Sequence, residues 1–380
     1  MNELEIQRKK IDEIDSKLLP LFLERMNCSK AIADYKQKNN MPVFDKAREK
    51  AILDNKTSLV EPEKATSVRD FFSSIMSISK AAQRKLLASD KANIDLEKIF
   101  DMGGLKPQPT VVFQGVAGAN SETALMKIFG NDCKRINVMT FGETLDAVEK
   151  GEADYAVLPL ENSSTGSISG VYDLLEARDF YIVSEVDVPI EHCLVALPDA
   201  QLSDIKKVYS HEQGYLQCKE FFKNYPQIDF QPYYNTALAA KLIAGIGDKS
   251  IAAISDPRCA DLYGLKILAD DISSSHNNVT RFVAVAKRGI LNKDCKKISV
   301  LFTLPNEIGT LSHILSEFSI NELNLVKIES RPRCDRNFEY MFFVDFEGSL
   351  LDEKVKRVME TLAESASYLK ILGNYPMAKE

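Results

Sequence analysis

The 380-residue sequence contains no tryptophan and only four histidines, and its seven cysteines are scattered without a Cys-x-x-Cys pair. The histidines show no metal-ligand spacing either. We therefore expect no disulfide framework, no metal site and a reducing, cytoplasmic setting. The glycines form neither a Walker loop nor a G-x-G-x-x-G stretch, so no cofactor is expected.

Long apolar runs are also missing, and the N-terminus carries no signal-peptide pattern, so we expect no membrane partner. The formal net charge of -7 argues against a nucleic-acid partner. What is present is 45% hydrophobic and 27% charged residues, which is typical of a globular protein. A chain of this length is too long for one core, so we predict several domains.

Residues 1–99 show the apolar spacing of helices. The pattern predicts a first helix that ends near Lys38, a second that begins near Asp45 and a third over about Pro62–Ser89. Pro20 lies inside the first helix and should kink or weaken it. A helix of about 35 residues is about 50 Å long. Three such helices do not make a good monomeric core, so the pattern implies a homo-oligomer, at least a dimer.

Basic residues interrupt the first helix at informative intervals. Arg25 and Lys36 share one face about 16 Å apart, so their long side chains can converge on one small dianion. Arg8 lies about 25 Å before Arg25. Arg8 is therefore either a solvated charge or part of a neighbouring subunit's site.

Two i,i+4 pairs add polar groups to the later helices: Asp45 with Glu49, beside Arg48, and Ser79 with Gln83. Each pair alone is ordinary helix-surface polarity. Taken with the basic positions of the first helix, the pattern over residues 3–89 resembles the all-helical chorismate mutases.

That resemblance implies a pericyclic rearrangement of chorismate to prephenate without a covalent intermediate. Such an enzyme holds a compact conformer and stabilises charge on the breaking ether oxygen. Lys36 and Gln83 would donate to that oxygen, and Glu49 would take the ring hydroxyl. The remaining matched positions would bind substrate: Arg8, Arg25, Asp45, Arg48 and Ser79.

A linker rich in glycine and proline, from Gly103 to Pro109, precedes the central region, residues 108–286. Strand-like runs alternate there with helical stretches. The predicted strands are Val111–Phe113, Arg135–Met139, Tyr155–Leu158, Tyr181–Val186, Cys193–Leu197, Lys207–Tyr209, Ile251–Ile254 and Phe282–Ala286. We predict an α/β fold with a mainly parallel sheet, in two lobes with a cleft between them.

Polar clusters follow three of these runs or lead into them. They contain Glu161, Asn162 and Ser163; Ser210, His211 and Gln213; and Thr280, Arg281 and Phe282. Helix capping would explain one such cluster, but three in one domain favour a site at the strand ends. A threonine hydroxyl beside a guanidinium suits an anionic substrate that carries a hydroxyl.

The clusters resemble those of prephenate dehydratases: the turn Pro-x-Glu-Asn-Ser-Ser-x-Gly from Pro159, Tyr-Ser-His-x-Gln from Tyr209, and Thr-Arg-Phe from Thr280. In the related segment Gly115–Ser121, Asn120 stands where an aromatic residue is usual. The resemblance implies a two-lobed domain, like a periplasmic binding protein, that converts prephenate to phenylpyruvate.

The same resemblance assigns roles in the loss of carbon dioxide and of the ring hydroxyl. Thr280 would hydrogen-bond the leaving hydroxyl, and Arg281 would anchor a carboxylate. Because threonine is a poor acid, Glu161 with a raised pKa is a candidate proton donor. The other substrate-binding candidates are Asn162, Ser163, Ser210, His211, Gln213 and Phe282.

The order of elements in residues 296–376 predicts a small α+β domain. It reads as strand, helix, two strands, helix and strand, which is a ferredoxin-like order. Such a domain could serve only for dimerisation. Its strand-to-helix turn at Gly309 and its strand end at Glu329–Pro332 resemble the Gly-Ala-Leu and Glu-Ser-Arg-Pro motifs of the ACT domain.

The resemblance implies that phenylalanine binds there as an allosteric inhibitor. The effector-binding positions would be Gly309, Thr310 (in place of the usual alanine), Leu311, Glu329, Ser330, Arg331 and Pro332. Together the three regions resemble the bifunctional chorismate mutase/prephenate dehydratases. Two alternatives remain at this level: an arogenate dehydratase with a decayed helical module, and a sensor that binds small molecules without reacting with them.

Overall fold

The computed structural model describes residues 2–39, 41, 45–87, 96–275, 277–307, 309–332 and 340–378. They belong to two compact units. The first unit comprises Met1–Leu96 and Val300–Lys370, and the second comprises Glu97–Ser299 and Ile371–Glu380. The N-terminal helices therefore share a unit with most of the C-terminal module.

The helices, in chain order, are α1 (Glu3–Lys38), α2 (Lys46–Ser58), α3 (Pro62–Leu87), α4 (Leu96–Ile99), α5 (Asn120–Phe129), α6 (Phe141–Glu149), α7 (Ser169–Ala177), α8 (Glu212–Gln217), α9 (Lys219–Phe222), α10 (Thr236–Ile246), α11 (Arg258–Tyr263), α12 (Thr310–Ile320) and α13 (Glu353–Ser365). The strands are β1 (Phe100–Asp101), β2 (Thr110–Gln114), β3 (Lys134–Val138), β4 (Tyr155–Asn162), β5 (Gly166–Ser167), β6 (Tyr181–Pro189), β7 (Cys193–Ala196), β8 (Lys207–Ser210), β9 (Asp229–Pro232), β10 (Ile251–Ser255), β11 (Lys266–Ala269), β12 (Val279–Ala286), β13 (Gly289–Ile290), β14 (Lys297–Thr303), β15 (Leu325–Pro332), β16 (Tyr340–Glu347) and β17 (Tyr368–Tyr375).

The three predicted N-terminal helices are confirmed, although the predicted end of the third, at Ser89, lies outside the described residues. Helix α1 is a single element of 36 residues that continues through Pro20. Helix α3 packs against both α1 and α2. Much of the apolar surface of α1 stays exposed, at Leu4, Ile11, Ile14, Leu18, Leu19, Leu21 and Leu23.

The C-terminal elements confirm the predicted ferredoxin-like order. In the sheet, strands β14 to β17 lie in the order β15-β16-β14-β17. Along the chain, α12 follows β14 and α13 follows β16. Strand β15 is at the sheet edge and pairs antiparallel with β16. Helix α12 also contacts α3.

The second unit has two lobes, as predicted. The sheet of the first lobe has the order β6-β12-β4-β2-β3, and the sheet of the second has the order β11-β7-β10-β8-β9. All eight predicted strands exist, but β9, β11 and the two-residue strand β5 of this region were missed. At the end of β17, Gly373 pairs with Ile182 of β6. A Cβ at position 373 would lie 2.3 Å from the Ile182 carbonyl oxygen, so only glycine allows this approach.

The predicted mainly parallel sheet is wrong, because both sheets are mixed. Strand β12 runs antiparallel to both of its neighbours, β4 and β6, and β7 runs antiparallel to β10 and β11. The reason is the path of the chain. It leaves the first lobe after Pro189 and returns at Val279, so β12 enters its sheet from the other lobe rather than through a crossover helix.

The two crossings between the lobes run side by side. The amide of Ile190 donates to the carbonyl of Asn278 at 2.8 Å, and the amide of Ile272 donates to the carbonyl of His192 at 2.9 Å. Each lobe has its own apolar core, built around Val157 and Ala284 in the first and around Val195 and Ala253 in the second. The space between the lobes is thus bounded by strand ends and by the crossings.

Candidate active sites

A cavity of about 230 Å³ lies between the lobes of the second unit. Its walls come from the first turn of α5, the end of β4 and the turn after it, the outgoing crossing, the start of β12, α8 and the start of α10. The lining residues are Asn120, Asn162, Thr165, Ile190, His192, His211, Gln213, Gly214, Gln217, Asn235, Thr236 and Thr280. Four of the residues predicted for the dehydratase site are among them: Asn162, His211, Gln213 and Thr280.

The Thr280 hydroxyl is held by a neighbouring amide. Thr280 is 7% exposed, and its Oγ1 accepts a hydrogen bond of 2.9 Å from Nδ2 of Asn162. The side-chain oxygen of Asn162 fixes the orientation of this amide group. Oδ1 accepts hydrogen bonds from the backbone amides of Ser164 and Thr165 at 3.0 and 3.1 Å. Since Nδ2 can only donate, Thr280 must direct its own proton elsewhere.

The same turn is fastened to the returning crossing. Nδ2 of Asn162 also donates to Oδ1 of Asn278 at 2.7 Å. The Ser163 hydroxyl donates to the carbonyl of Asn277 and accepts from the amide of Val279, both at 2.9 Å. Ser163, predicted to bind substrate, thus joins two chain segments and lies outside the cavity wall.

Arg281 does not reach the cavity. Its guanidinium donates to Asp187 at 3.0 and 3.3 Å and to Glu161 at 2.9 Å, and it lies 3.8 Å from Glu185. Burial by itself lowers the pKa of Arg281, but the hydrogen bond to Asp187 and the nearby carboxylates outweigh it and raise the pKa. The predicted carboxylate anchor is therefore already surrounded by carboxylates.

The geometry of β12 explains this placement. Neighbouring side chains of a strand point to opposite faces, so Thr280 at the cavity sends Arg281 away from it. A β-bulge between Arg281 and Phe282 then changes the register, and Phe282 packs in the core of the first lobe at 4% exposure. Glu161, the predicted proton donor, stays with Arg281 outside the cavity wall.

The second lobe supplies the helix α8 and the residues before it. Nδ1 of His211 accepts from the amide of Gln213 at 3.2 Å and so caps the helix. Ser210 is completely buried behind this wall. A Cβ at Gly214 would lie 2.8 Å from Oγ of Ser210, so a glycine lets α8 approach the end of β8.

His192 is a cavity residue that the sequence interpretation missed. It is 4% exposed, and its Nε2 lies 2.9 Å from Oε1 of Gln217. Burial lowers the pKa of His192, so the neutral form is favoured. One signal was present in the sequence: His192 leads into the buried run Cys193–Ala196, as Thr280 leads into its own strand.

In the first unit, α1 and α3 bring several predicted mutase residues together. Arg25 donates to the hydroxyl of Ser79 and to the carbonyl of Ile75. Nε2 of Gln83 donates to Oγ of Ser29 at 2.8 Å, while Oε1 of Gln83 is buried with no partner among the described residues. Burial lowers the pKa of Arg25.

Helix α2 contributes Glu49, whose carboxylate lies 3.0 Å from Nζ of Lys80. Lys80 is 5% exposed and was not predicted. The sequence contained one indication of this position. Lys80 follows Met76 by four residues and Ser77 by three, so it lies on the same buried face of α3. Nε2 of His313, on α12, lies 3.4 Å from Lys80.

The other mutase candidates are more dispersed. Asp45 caps α2 by accepting from the amide of Arg48 at 3.0 Å. Lys36 is half-buried near the end of α1, and Arg8 is exposed. Since α1 is one continuous helix, Arg8 lies about 25 Å along its axis from Arg25. One chain therefore does not bring Arg8 to the same small molecule as Arg25.

The predicted effector residues occupy two separate places. Gly309 directly precedes α12 with φ +85°, a conformation that favours glycine, and the Thr310 hydroxyl donates to the carbonyl of Glu307 at 2.9 Å. Leu311 follows on the helix, half-buried. Because β16 lies between β14 and β15, the segment Glu329–Pro332 is not on the strand next to this turn.

On β15 the side chains alternate between half-buried and exposed. Glu329, 3.4 Å from Lys327, and Arg331 are half-buried, whereas Ser330 and Pro332 are exposed. Within the described residues, we find no group of three His, Cys, Asp or Glu side chains that could hold a metal ion. Nor does any described helix have the length and apolarity to cross a membrane.

Comparison with known families gives three matches in the predicted order. They are chorismate mutase type II over residues 7–84, prephenate dehydratase over residues 111–290 and the ACT domain over residues 298–364. Each match coincides largely with the region whose motifs resemble that family, and the prephenate dehydratase match extends four residues beyond residue 286. The ACT match includes both predicted effector segments.

The bifunctional chorismate mutase/prephenate dehydratase of Buchnera aphidicola subsp. Acyrthosiphon pisum (strain APS) is 32% identical over 396 residues, 100% of this chain and 97% of its own. The chloroplastic arogenate dehydratase/prephenate dehydratase 1 of Arabidopsis thaliana is 38% identical over 73% of this chain and 75% of its own. A prephenate dehydratase from Arthrobacter aurescens, solved in complex with L-Phe, matches with 33% identity and a TM-score of 0.66, covering 71% of this chain and 90% of its own. Because the likeness to the Buchnera enzyme extends through all three regions, this chain belongs to the bifunctional chorismate mutase/prephenate dehydratases.

Proposed function

We propose that the chain carries out two successive reactions of phenylalanine biosynthesis under feedback control. The helical module, residues 1–99, rearranges chorismate to prephenate. The two-lobed domain, residues 108–286, converts prephenate to phenylpyruvate, and the ACT domain, residues 296–376, binds phenylalanine as the inhibitor. The observation that carries the dehydratase assignment is the buried Thr280 hydroxyl, held by Asn162 at the wall of the cavity between the lobes.

In the dehydratase reaction, the bond to the ring carboxylate breaks and releases carbon dioxide. Its electron pair enters the ring, and the carbon–oxygen bond of the ring hydroxyl breaks on the opposite side. The net change consumes one proton from solvent and produces phenylpyruvate and water. Thr280 acts by donating a hydrogen bond to the departing hydroxyl, on which negative charge develops.

The surrounding residues have supporting roles. Asn162 orients the Thr280 hydroxyl, and His211 and Gln213 contact the substrate from the second lobe. The described residues that line the cavity include no arginine, lysine, aspartate or glutamate, so neutral donors would bind the substrate's carboxylates. Glu161, Ser163, Arg281 and Phe282 keep the strand ends in place, and Ser210 supports α8.

In the mutase reaction, Lys36 and Gln83 donate to the ether oxygen while Glu49 takes the ring hydroxyl. Arg25, with Ser79 as its neighbour, binds a carboxylate, and Arg48 and Asp45 complete the site from α2. Arg8 comes from a second copy of the chain. The exposed leucines and isoleucines of α1 support such a homodimer, because a second copy would cover them.

Phenylalanine binds where two ACT domains meet, using Gly309, Thr310 and Leu311 with the Glu329–Pro332 segment. The intervening strand β16 supports a site made from two copies, since one copy does not put the two segments on neighbouring strands. Val326 and Ile328 of the edge strand are exposed at 41% and 46%, as expected for a face that a second copy covers. We also place the protein in the cytoplasm, in keeping with six described cysteines that are free thiols.

The test is to supply purified protein with chorismate, and separately with prephenate, and to follow phenylpyruvate by its absorbance in alkali. We expect phenylpyruvate from both substrates. Thr280→Val should accumulate prephenate from chorismate, since it keeps the β-branched shape and removes the donor. Turnover of arogenate alone would support the arogenate alternative, and binding without turnover of any substrate would support the sensor.

A further inference from the structure

The two ring nitrogens of His192 have different surroundings. Nε2 lies 2.9 Å from Oε1 of Gln217. An amide oxygen can only accept, so Nε2 carries the ring proton and Nδ1 of the neutral imidazole presents a lone pair. Nδ1 is buried, and within the described part of the chain it has no hydrogen-bond partner.

An unpaired acceptor of this kind is uncommon inside a protein, because burying it without a partner costs stability. His192 is 4% exposed and belongs to the cavity wall, so a ligand in the cavity is the natural partner for Nδ1. Burial also lowers the pKa of His192, which keeps the acceptor available at neutral pH. The ligand must supply a donor.

We propose that His192 contacts the substrate of the dehydratase site and that its Nδ1 accepts a hydrogen bond from the ring hydroxyl. The proposal rests on the dehydratase function inferred above. At neutral pH the two carboxylates and the keto group of prephenate are acceptors, so the ring hydroxyl is its only donor. A neutral lone pair matches that group and not the others.

This contact gives the leaving group a second point of attachment. His192 stands on the outgoing crossing between the lobes, and Thr280 stands at the end of the returning one. The hydroxyl would donate its hydrogen to His192 and receive the hydrogen bond of Thr280. Two such bonds fix the direction of the carbon–oxygen bond relative to the ring, which the elimination requires.

Two substitutions separate this contact from a structural role. The side-chain oxygen in His192→Asn lies near the position of Nδ1, whereas the amide of His192→Gln reaches the position of Nε2. If Nδ1 binds substrate, His192→Asn should keep kcat/KM for prephenate within about tenfold of wild type, and His192→Gln should lose about 100-fold. If His192 only holds Gln217, the order of the two variants should reverse.

Binding of phenylpyruvate, followed by calorimetry, is the control. The product is aromatic and has lost the ring hydroxyl, so its affinity should be the same in wild type and both variants. The reversed order, or equal activity in both variants with unchanged product binding, would overturn the proposal. Failure of the wild type to turn over prephenate would instead overturn the dehydratase function itself.

Discussion

The amide of Asn162 donates to the hydroxyl oxygen of Thr280 at 2.9 Å across paired strands. The direction of this hydrogen bond is fixed by the three donors that hold Oδ1 of Asn162: the amides of Ser164 and Thr165 and the hydroxyl of Thr165. The threonine is therefore left as a donor, which is the role that the proposed function gives it. Reversing the hydrogen bond between Asn162 and Thr280 should therefore lower the rate of the dehydratase reaction.

Asn162→Asp tests this relationship with almost no change in shape. A carboxylate can only accept, so it should draw the Thr280 proton away from the cavity. We expect dehydratase kcat to fall about 100-fold while mutase activity is unchanged. In a Thr280→Val background the same substitution should have little further effect, because the two residues act as a unit. Additive losses would argue against the relationship.

Mixed dimers test whether mutase sites are shared. Arg8→Ala and Lys36→Ala should each abolish most mutase activity and leave dehydratase activity on supplied prephenate. After the two inactive proteins are unfolded together and reassembled, mixed dimers should recover part of the mutase rate. Absence of recovery in verified mixed dimers would mean that each site is built from one chain.

Gly309→Val tests the effector turn. A Cβ at Gly309 meets no atom of the described residues within 4 Å, but φ +85° is strained for a β-branched residue. We expect the variant to keep dehydratase activity and to lose phenylalanine inhibition. In the wild type, a coupling free energy of about 1–3 kcal/mol would lower the activity roughly 5–150-fold at saturating phenylalanine. Gly309→Asn, which tolerates this conformation better, is the matched control and should retain more inhibition. Titration with phenylalanine, with tyrosine as the comparison, measures both; a valine variant inhibited like the wild type would place the effector elsewhere.

Two ion pairs of equal length should contribute differently to the stability of the protein, because one is buried and the other is exposed. Lys297 and Glu185 are 2.7 Å apart with side chains 1% and 2% exposed, whereas Lys223 and Glu220 are 2.7 Å apart and more than 60% exposed. Lys297→Met should destabilise the second unit by about 3–5 kcal/mol, because it leaves a buried charge. Lys223→Met should change stability by less than about 1 kcal/mol. Urea denaturation of both variants measures the difference, and equal midpoints would contradict it.

Cysteine alkylation reports on the packing of the second lobe. Burial raises the pKa of Cys193 and of Cys218 to about 12, with nearby Asp256 contributing at Cys193. Since the thiolate is the reactive form, both should resist iodoacetamide at pH 8, whereas the exposed Cys28 should react. Raising the pH toward 12, or adding denaturant, should increase labelling of the buried pair. Rapid labelling of Cys193 in the native protein, detected by mass spectrometry, would contradict this packing.

The sequence was sufficient for the three N-terminal helices, for eight strands of the two lobes and for the order of the C-terminal elements, but not for β5, β9 and β11. Apolar spacing predicted α1, although much of its apolar surface stays exposed, and short apolar runs predicted eight strands whose residues are largely buried. It did not predict strand direction, since a buried strand has the same apolar pattern whichever way it runs. That is why a mainly parallel sheet was expected, whereas β12 is antiparallel to both of its neighbours.

Cavity residues were predictable where they belong to a short sequence motif. Asn162 is part of the turn that begins at Pro159, and Thr280 begins the Thr-Arg-Phe motif. Arg281 was harder, because a bulge and three carboxylates from other segments decide its position. His192 and Lys80 depend on partners 25 and 31 residues away, Gln217 and Glu49. Such pairs become visible only once the chain has folded.

The two crossings between the lobes hold cavity residues and are also the segments about which the lobes could rotate. One crossing carries His192 and the other ends at Thr280, and the bond from Ile190 to Asn278 ties the two together. Any rotation of one lobe against the other must pass through these two segments. A hinge placed there would change the distance between His192 and Thr280, the two residues that we propose contact the substrate. Substitutions at this hinge should consequently alter kcat and KM together.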